Sequence, residues 1–190
     1  MARLTRFTFF SFKLTGPSFL CLICLGWALS LPLAQAAQAA VPPKAAKAEV
    51  KSLITPDSVL RGGLSEGYMS LLDVRRSSDR KKMMERLVLD FGDSSFAPTK
   101  HVSYYTLEYK KGPPRLLLQL SLVMSTHFQA ESLAKKLSGG LLVKDVHIEF
   151  DSLSQAQVLS VELKSEAKVS LAQWDGDQTR PARLVLDLQK

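Results

Sequence analysis

Cysteine is nearly missing from this sequence. Its 190 residues include two, Cys21 and Cys24, and both lie inside the longest apolar stretch. Beyond residue 24 the chain can build no disulfide, no thiolate metal site and no cysteine nucleophile. Histidine is scarce as well. His101, His127 and His147 are the only three, and none stands in an H-x-x-x-H or H-E-x-x-H spacing, so no metal is expected. Acidic residues are missing from the first 48 positions. After residue 33 no segment is apolar enough to enter a membrane.

The acid-free start has the layout of an export signal. Arg3, Arg6 and Lys13 precede an apolar run of fifteen, residues 19–33. That run is shorter than the ~18–20 residues a bilayer-spanning helix needs, and Pro32 would break its end. Ala34-Gln35-Ala36 and Ala37-Gln38-Ala39 both satisfy the Ala-x-Ala cleavage rule. A signal peptide over residues 1–39 is therefore expected, cut after Ala36 or Ala39. Small secreted animal domains usually lean on disulfides. A cysteine-free product instead suggests a bacterial protein, periplasmic or secreted.

Removing that leader takes away three basic residues and no acidic ones, so the net charge drops from +7 to +4. This mild excess suits anionic glycans or lipid headgroups and is too small to argue for nucleic acid. What remains is one domain of ordinary size. Residues 40–51 (AVPPKAAKAEVK) read as a spacer. Residues 53–67, with Pro56, Gly62, Gly63 and Gly67, read as a lead-in. The expected division is a flexible linker over 40–67 and a folded β domain over 68–190.

From Tyr68 the pattern is that of strands. They are expected at 68–74, 86–91, 102–109, 115–123, 141–150, 158–164, 168–174 and 183–188, with a charged connection at 75–82. Along 158–164, Leu159, Val161 and Leu163 should face inward and Ser160, Glu162 and Lys164 outward. One change of period, at Phe128, Leu133 and Leu137 before Gly139-Gly140, predicts a helix over 129–137. The fold class is mainly β: an antiparallel sandwich or half-barrel whose one short helix plugs an open end or covers an edge. Residues 86–91 (RLVLDF) and 183–188 (RLVLDL) are near copies 97 positions apart, which suits equivalent strands in two facing sheets.

The closing strands carry a family resemblance. Residues 158–171 (VLSVELKSEAKVSL), then Pro181-Ala182-Arg183-Leu184-Val185-Leu186-Asp187-Leu188, resemble the end of the AMIN domain and its AMIN-like relatives. Residues 85–91 followed by the Tyr-rich 104–109 resemble the opening of the AMIN-like form. The resemblance covers about 68–190. It implies a β-sandwich module of the bacterial envelope, of the kind found beside periplasmic amidases and in type IV pilus secretins. Such modules target their parent to peptidoglycan or the septum and carry no catalytic residues. With no further module after residue 190, it implies a stand-alone targeting or adaptor protein.

Candidate ligand contacts are the basic run Arg75, Arg76, Arg80, Lys81 and Lys82, whose arginines offer forked donors to carboxylate or phosphate. To these are added Tyr105 and Tyr109, which share one strand face and could stack on sugar rings, although core packing is the commoner role for such aromatics. Residues 63–67 (GLSEG) formally match a nucleophile elbow but lack the strand before and helix after that it requires. Asp175-Gly176-Asp177 reads as a turn rather than a calcium loop. No catalytic set and no cofactor site emerges. The expected function is a non-catalytic periplasmic binding or targeting module, with peptidoglycan or envelope proteins as partners and no membrane span after cleavage. The alternative is a periplasmic carrier or chaperone holding an apolar ligand between a curved sheet and a helix.

Overall fold

Alternating apolar positions set the two-layer arrangement, because each strand can bury one face against a facing sheet. A computed structural model describes residues 48–64 and 67–190. The expected signal peptide, both cysteines and the first part of the spacer lie outside the described residues. The strands are β1 (Ala48–Ile54), β2 (Ser58–Gly62), β3 (Met69–Asp79), β4 (Met84–Asp93), β5 (Tyr105–Lys110), β6 (Arg115–Ser121) and β7 (Val123–Thr126). After helix α1 (Ala130–Leu137) come β8 (Val143–Asp151), β9 (Ala156–Leu163), β10 (Lys168–Trp174) and β11 (Ala182–Gln189). A six-stranded sheet runs β1-β10-β11-β4-β3-β7 and a five-stranded sheet runs β2-β5-β6-β9-β8. The protein is mainly β, with two sheets and one short helix, consistent with a β-sandwich.

The core lies between the sheets. Leu87, Leu89 and Phe91 from β4 and Leu184, Leu186 and Leu188 from β11 meet Tyr105, Leu107 and Tyr109 from β5 and Leu116, Leu118 and Leu120 from β6. Leu159, Val161 and Leu163 join them, as the alternation predicts. Each such side chain contributes about 1.5–3 kcal/mol on leaving water.

Three expectations need correction. First, the folded domain does not start at Tyr68. The spacer and lead-in supply β1, paired with β10, and β2, paired with β5. Their own propensity is weak, and pairing to an existing sheet edge is what makes them strands. Second, the expected strand 115–123 breaks at Leu122, whose backbone is left-handed (φ 60°). The Leu122 N–H bonds Gln155 O at 3.0 Å while its carbonyl accepts Met69 N–H at 2.9 Å. The bend carries the chain from the five-stranded sheet to the edge of the other, where β7 pairs parallel to β3. Third, the two hexapeptide copies are not in facing sheets. They are β4 and β11, antiparallel neighbours in one sheet.

The helix packs against β8, the edge strand of the five-stranded sheet, and against β3 of the other sheet, and buries Leu133 and Leu137. Its carbonyl end is held by a buried polar knot. Arg76 Nη1 donates to Leu137 O at 2.6 Å and Ser138 O at 3.0 Å, which suits a cation at a helix C-terminus. Arg76 also pairs with the fully buried Glu85 at 3.4 Å. Glu85 in turn accepts the Leu142 and Val143 N–H groups at 2.7 and 2.9 Å. Any Cβ on Gly140 would collide with the Glu85 carboxylate, so this close approach requires glycine.

Candidate functional site

Antiparallel pairing of Arg-Leu-Val-Leu-Asp with itself has a geometric consequence. With Val88 opposite Val185, Arg86 falls opposite Asp187 and Arg183 opposite Asp90. The leucines of both strands point into the core, so all four charged groups occupy the outer face. Arg86 Nε and Nη2 donate to the two Asp187 oxygens at 2.6 and 3.0 Å, a forked, charge-assisted pair. Arg183 Nε reaches Asp90 at 2.9 Å. Each aspartate takes a second cation, Asp90 from the adjacent strand β3 and Asp187 from β1, two strands away across β10. Lys51 Nζ lies 3.0 Å from Asp187, and Arg75 Nη2 lies 2.6 Å from Asp90.

These groups flank a groove of about 510 Å³ lined by Lys51, Arg75, Arg76, Arg86, Arg183 and Asp187 together with Ser77, Val88, Ala172, Trp174 and Val185. Its floor is the apolar strip Val88, Ala172 and Val185. The Trp174 indole N–H is buried and has no hydrogen-bond partner. Burial alone would raise the Asp187 carboxyl. Hydrogen bonds from Arg86 and Lys51 outweigh it and hold that group below the ordinary aspartate value. The Arg86 guanidinium is raised in return, chiefly by its bond to Asp187. A carboxylate so held is a weak proton acceptor. What the groove offers a ligand is guanidinium and ammonium donors beside an indole and an aliphatic strip.

The expected basic run does not act as one patch. Arg75 lines the groove. Arg76 spends its guanidinium on the helix end and Glu85. Arg80, Lys81 and Lys82 sit on the exposed β3–β4 turn, where Asp79 accepts the Lys81 and Lys82 N–H groups at 3.0 and 3.2 Å. The reason is that β3 continues as a strand to Asp79, so successive side chains separate to opposite faces. Tyr105 and Tyr109 are corrected from exposed stacking residues to core residues, 5% and 0% exposed. Burial pushes the Tyr105 phenol up, and the Tyr109 hydroxyl accepts Ala167 N–H at 3.0 Å.

Several groove residues escaped the reading of the sequence: Lys51, taken as spacer, and Arg86, Asp90, Arg183 and Asp187, taken as strand patterning. The signal was available in the Arg-x-x-x-Asp echo, which gives two Arg–Asp contacts when the copies pair antiparallel. A second hollow, about 410 Å³, lies along β1 and β2 and is lined by residues including Ser52, Arg61, His101, Gln173 and Asp175. There His101 Nδ1 stands 3.1 Å from Asp175. Asp177 is spent on its own turn, accepting from Thr179 and Arg180. Of the GLSEG segment, Ser65 and Glu66 lie outside the described residues, and Gly67 leads into β3 rather than a helix.

The fold and groove together define a β-sandwich with a cationic trough on one outer face. No protein-family model matches the chain, and no curated protein matches it.

Proposed function

We propose that this protein is a non-catalytic binding and targeting module of a bacterial envelope, exported by its N-terminal signal to the periplasm or beyond, and that it holds peptidoglycan in the groove of the six-stranded sheet. The observation that carries this reading is the pairing of forked arginine donors with a half-buried indole and an aliphatic strip. Carboxylates suit the first and sugar faces or alkyl side chains suit the second, and peptidoglycan presents both. The resemblance to AMIN-like modules points the same way. A carrier for an apolar ligand is disfavoured because leucine, valine and tyrosine side chains fill the space between the sheets.

The test is sedimentation of the purified protein with isolated sacculi at low and physiological salt. Co-sedimentation that weakens as salt rises is the expected result. Protein that stays in the supernatant at low salt ends this reading.

A further inference from the structure

We infer that the groove holds two equivalent anion stations, and that its ligand carries two carboxylates at matching separation on either side of an apolar or ring-bearing segment. This inference rests on the peptidoglycan reading and names what the groove recognises there.

The β4–β11 pair has a local two-fold axis through the Val88–Val185 pair, since the same five-residue string runs in opposite directions on its two strands. An Arg–Asp pair alone would be neutral and could be purely structural. Each aspartate here has a further cation, and the two arrive by different routes. At Asp90 it is Arg75, next to Val88 on β3. The position on β10 that corresponds to Arg75 is Ala172, next to Val185. The second cation at Asp187 comes instead from β1, as Lys51. Both stations thereby hold two cations around one carboxylate. Asp73 also approaches Arg75, at 3.5 Å, but is shared with Lys136 at 3.3 Å. Each guanidinium has more N–H donors than its aspartate uses, so an incoming carboxylate can join a station without displacing the resident one.

The stations stand four residues apart along a strand, Arg86 to Asp90, or about 13 Å at the rise of an extended chain. Between them lie Val88, Ala172 and Val185, with the unpaired Trp174 N–H at the Arg183 end, where Trp174 is paired with Arg183. A ligand with one carboxylate would fill half of this site. One with two carboxylates would span it and could enter in either chain direction.

The second cations are the exposed members, with Lys51 59% and Arg75 47% accessible. Lys51→Gln and Arg75→Gln each weaken one station while leaving the Arg86–Asp187 and Arg183–Asp90 pairs in place. Dissociation constants would be measured for wild type, both single variants and the double variant on two probes: native sacculi, and sacculi whose carboxylates have been converted to amides. Thermal melts confirm that the variants are folded. On native sacculi each single variant should bind about tenfold more weakly and the double variant about a hundredfold, the product expected of independent sites. On amidated sacculi wild type should lose at least tenfold, and the differences among variants should vanish. If one single variant is silent while the other shows the whole loss, the two-station inference is overturned. Equal binding of native and amidated sacculi overturns it as well. In both cases the binding function survives, because wild type still holds native sacculi. Wild type that does not bind native sacculi overturns the proposed function instead.

Discussion

On the six-stranded sheet the central pair of strands sets Arg86 across from Asp187 and Arg183 across from Asp90. On the five-stranded sheet the central pair sets Arg115 across from Glu162, Leu117 across from Ser160 and Gln119 across from Val158. Both pairs bury leucines inward and look alike from the core. Outside they differ. Asp90 and Asp187 are nearly covered by the cations that share them. Glu162, by contrast, meets the exposed Lys144 at 3.1 Å, and Glu108 meets Lys110 at 3.4 Å. Exposed pairs of the second kind contribute little. The difference shows how one repeated hexapeptide concentrates charge. Pairing it with its own reverse doubles each Arg–Asp contact and leaves aliphatic side chains between them.

The comparison can be broken first through binding. Reversing the exposed cations of the grooved face, Lys51→Glu with Arg75→Glu, should weaken sacculus binding more than a hundredfold. Lys110→Glu with Lys144→Glu on the other face should change it less than twofold. Comparable losses from both pairs would show that net charge, rather than the groove, carries binding.

Stability gives the next largest contrast. Asp187→Ala leaves Arg86 and Lys51 facing each other without their carboxylate. The cost should be about 2 kcal/mol, below the value for a fully buried pair because Arg86 reaches solvent. Glu162→Ala should cost no more than about 0.5 kcal/mol. Urea unfolding of both variants measures the difference.

Acid should sharpen it further. The Asp187 carboxyl is held below its ordinary value in the folded protein. Its contribution is therefore fully present above the unfolded aspartate pKa of about 3.9, and is lost as pH falls from there through the folded value. Melting curves between pH 6 and pH 2 should show Asp187→Asn losing less stability than wild type over the acid limb. Parallel acid limbs would contradict this.

The smallest expected effect concerns the indole. The chain has two tryptophans, Trp27 and Trp174. Trp27 lies in the expected signal peptide, so in the exported protein Trp174 reports on the groove alone. Soluble peptidoglycan fragments should shift its emission, and Trp174→Ala, which removes the ring beside the aliphatic strip, should weaken binding by about threefold.

Much of the fold could be read from the sequence because leucine alternation is strong from β4 onward. The 168–174 strand is found as predicted, and Leu159, Val161 and Leu163 face inward. What alternation cannot show is who pairs with whom. The RLVLDF and RLVLDL copies were legible as strands, and facing sheets were as compatible with them as neighbouring ones. Only the pairing turns Arg86 and Asp187, 101 positions apart, into a site. Lys51 was hidden for another reason: β1 (AEVKSLI) follows directly on an alanine- and proline-rich stretch, and its few apolar residues form a strand by pairing with the edge of β10. Tyr105 and Tyr109 share a strand face as expected, and that face is the core because they pair with Leu120 and Leu116 of β6, which face the other sheet.

The most direct measurement is amide chemical-shift mapping with soluble peptidoglycan fragments. The account predicts perturbations that cluster on β1, β3, β4, β10 and β11, around Lys51, Arg75, Arg86, Val88, Trp174 and Arg183, and that spare β5, β6, β8 and β9. A cluster of shifts on the five-stranded sheet, with the Val88–Val185 strip unmoved, would contradict it.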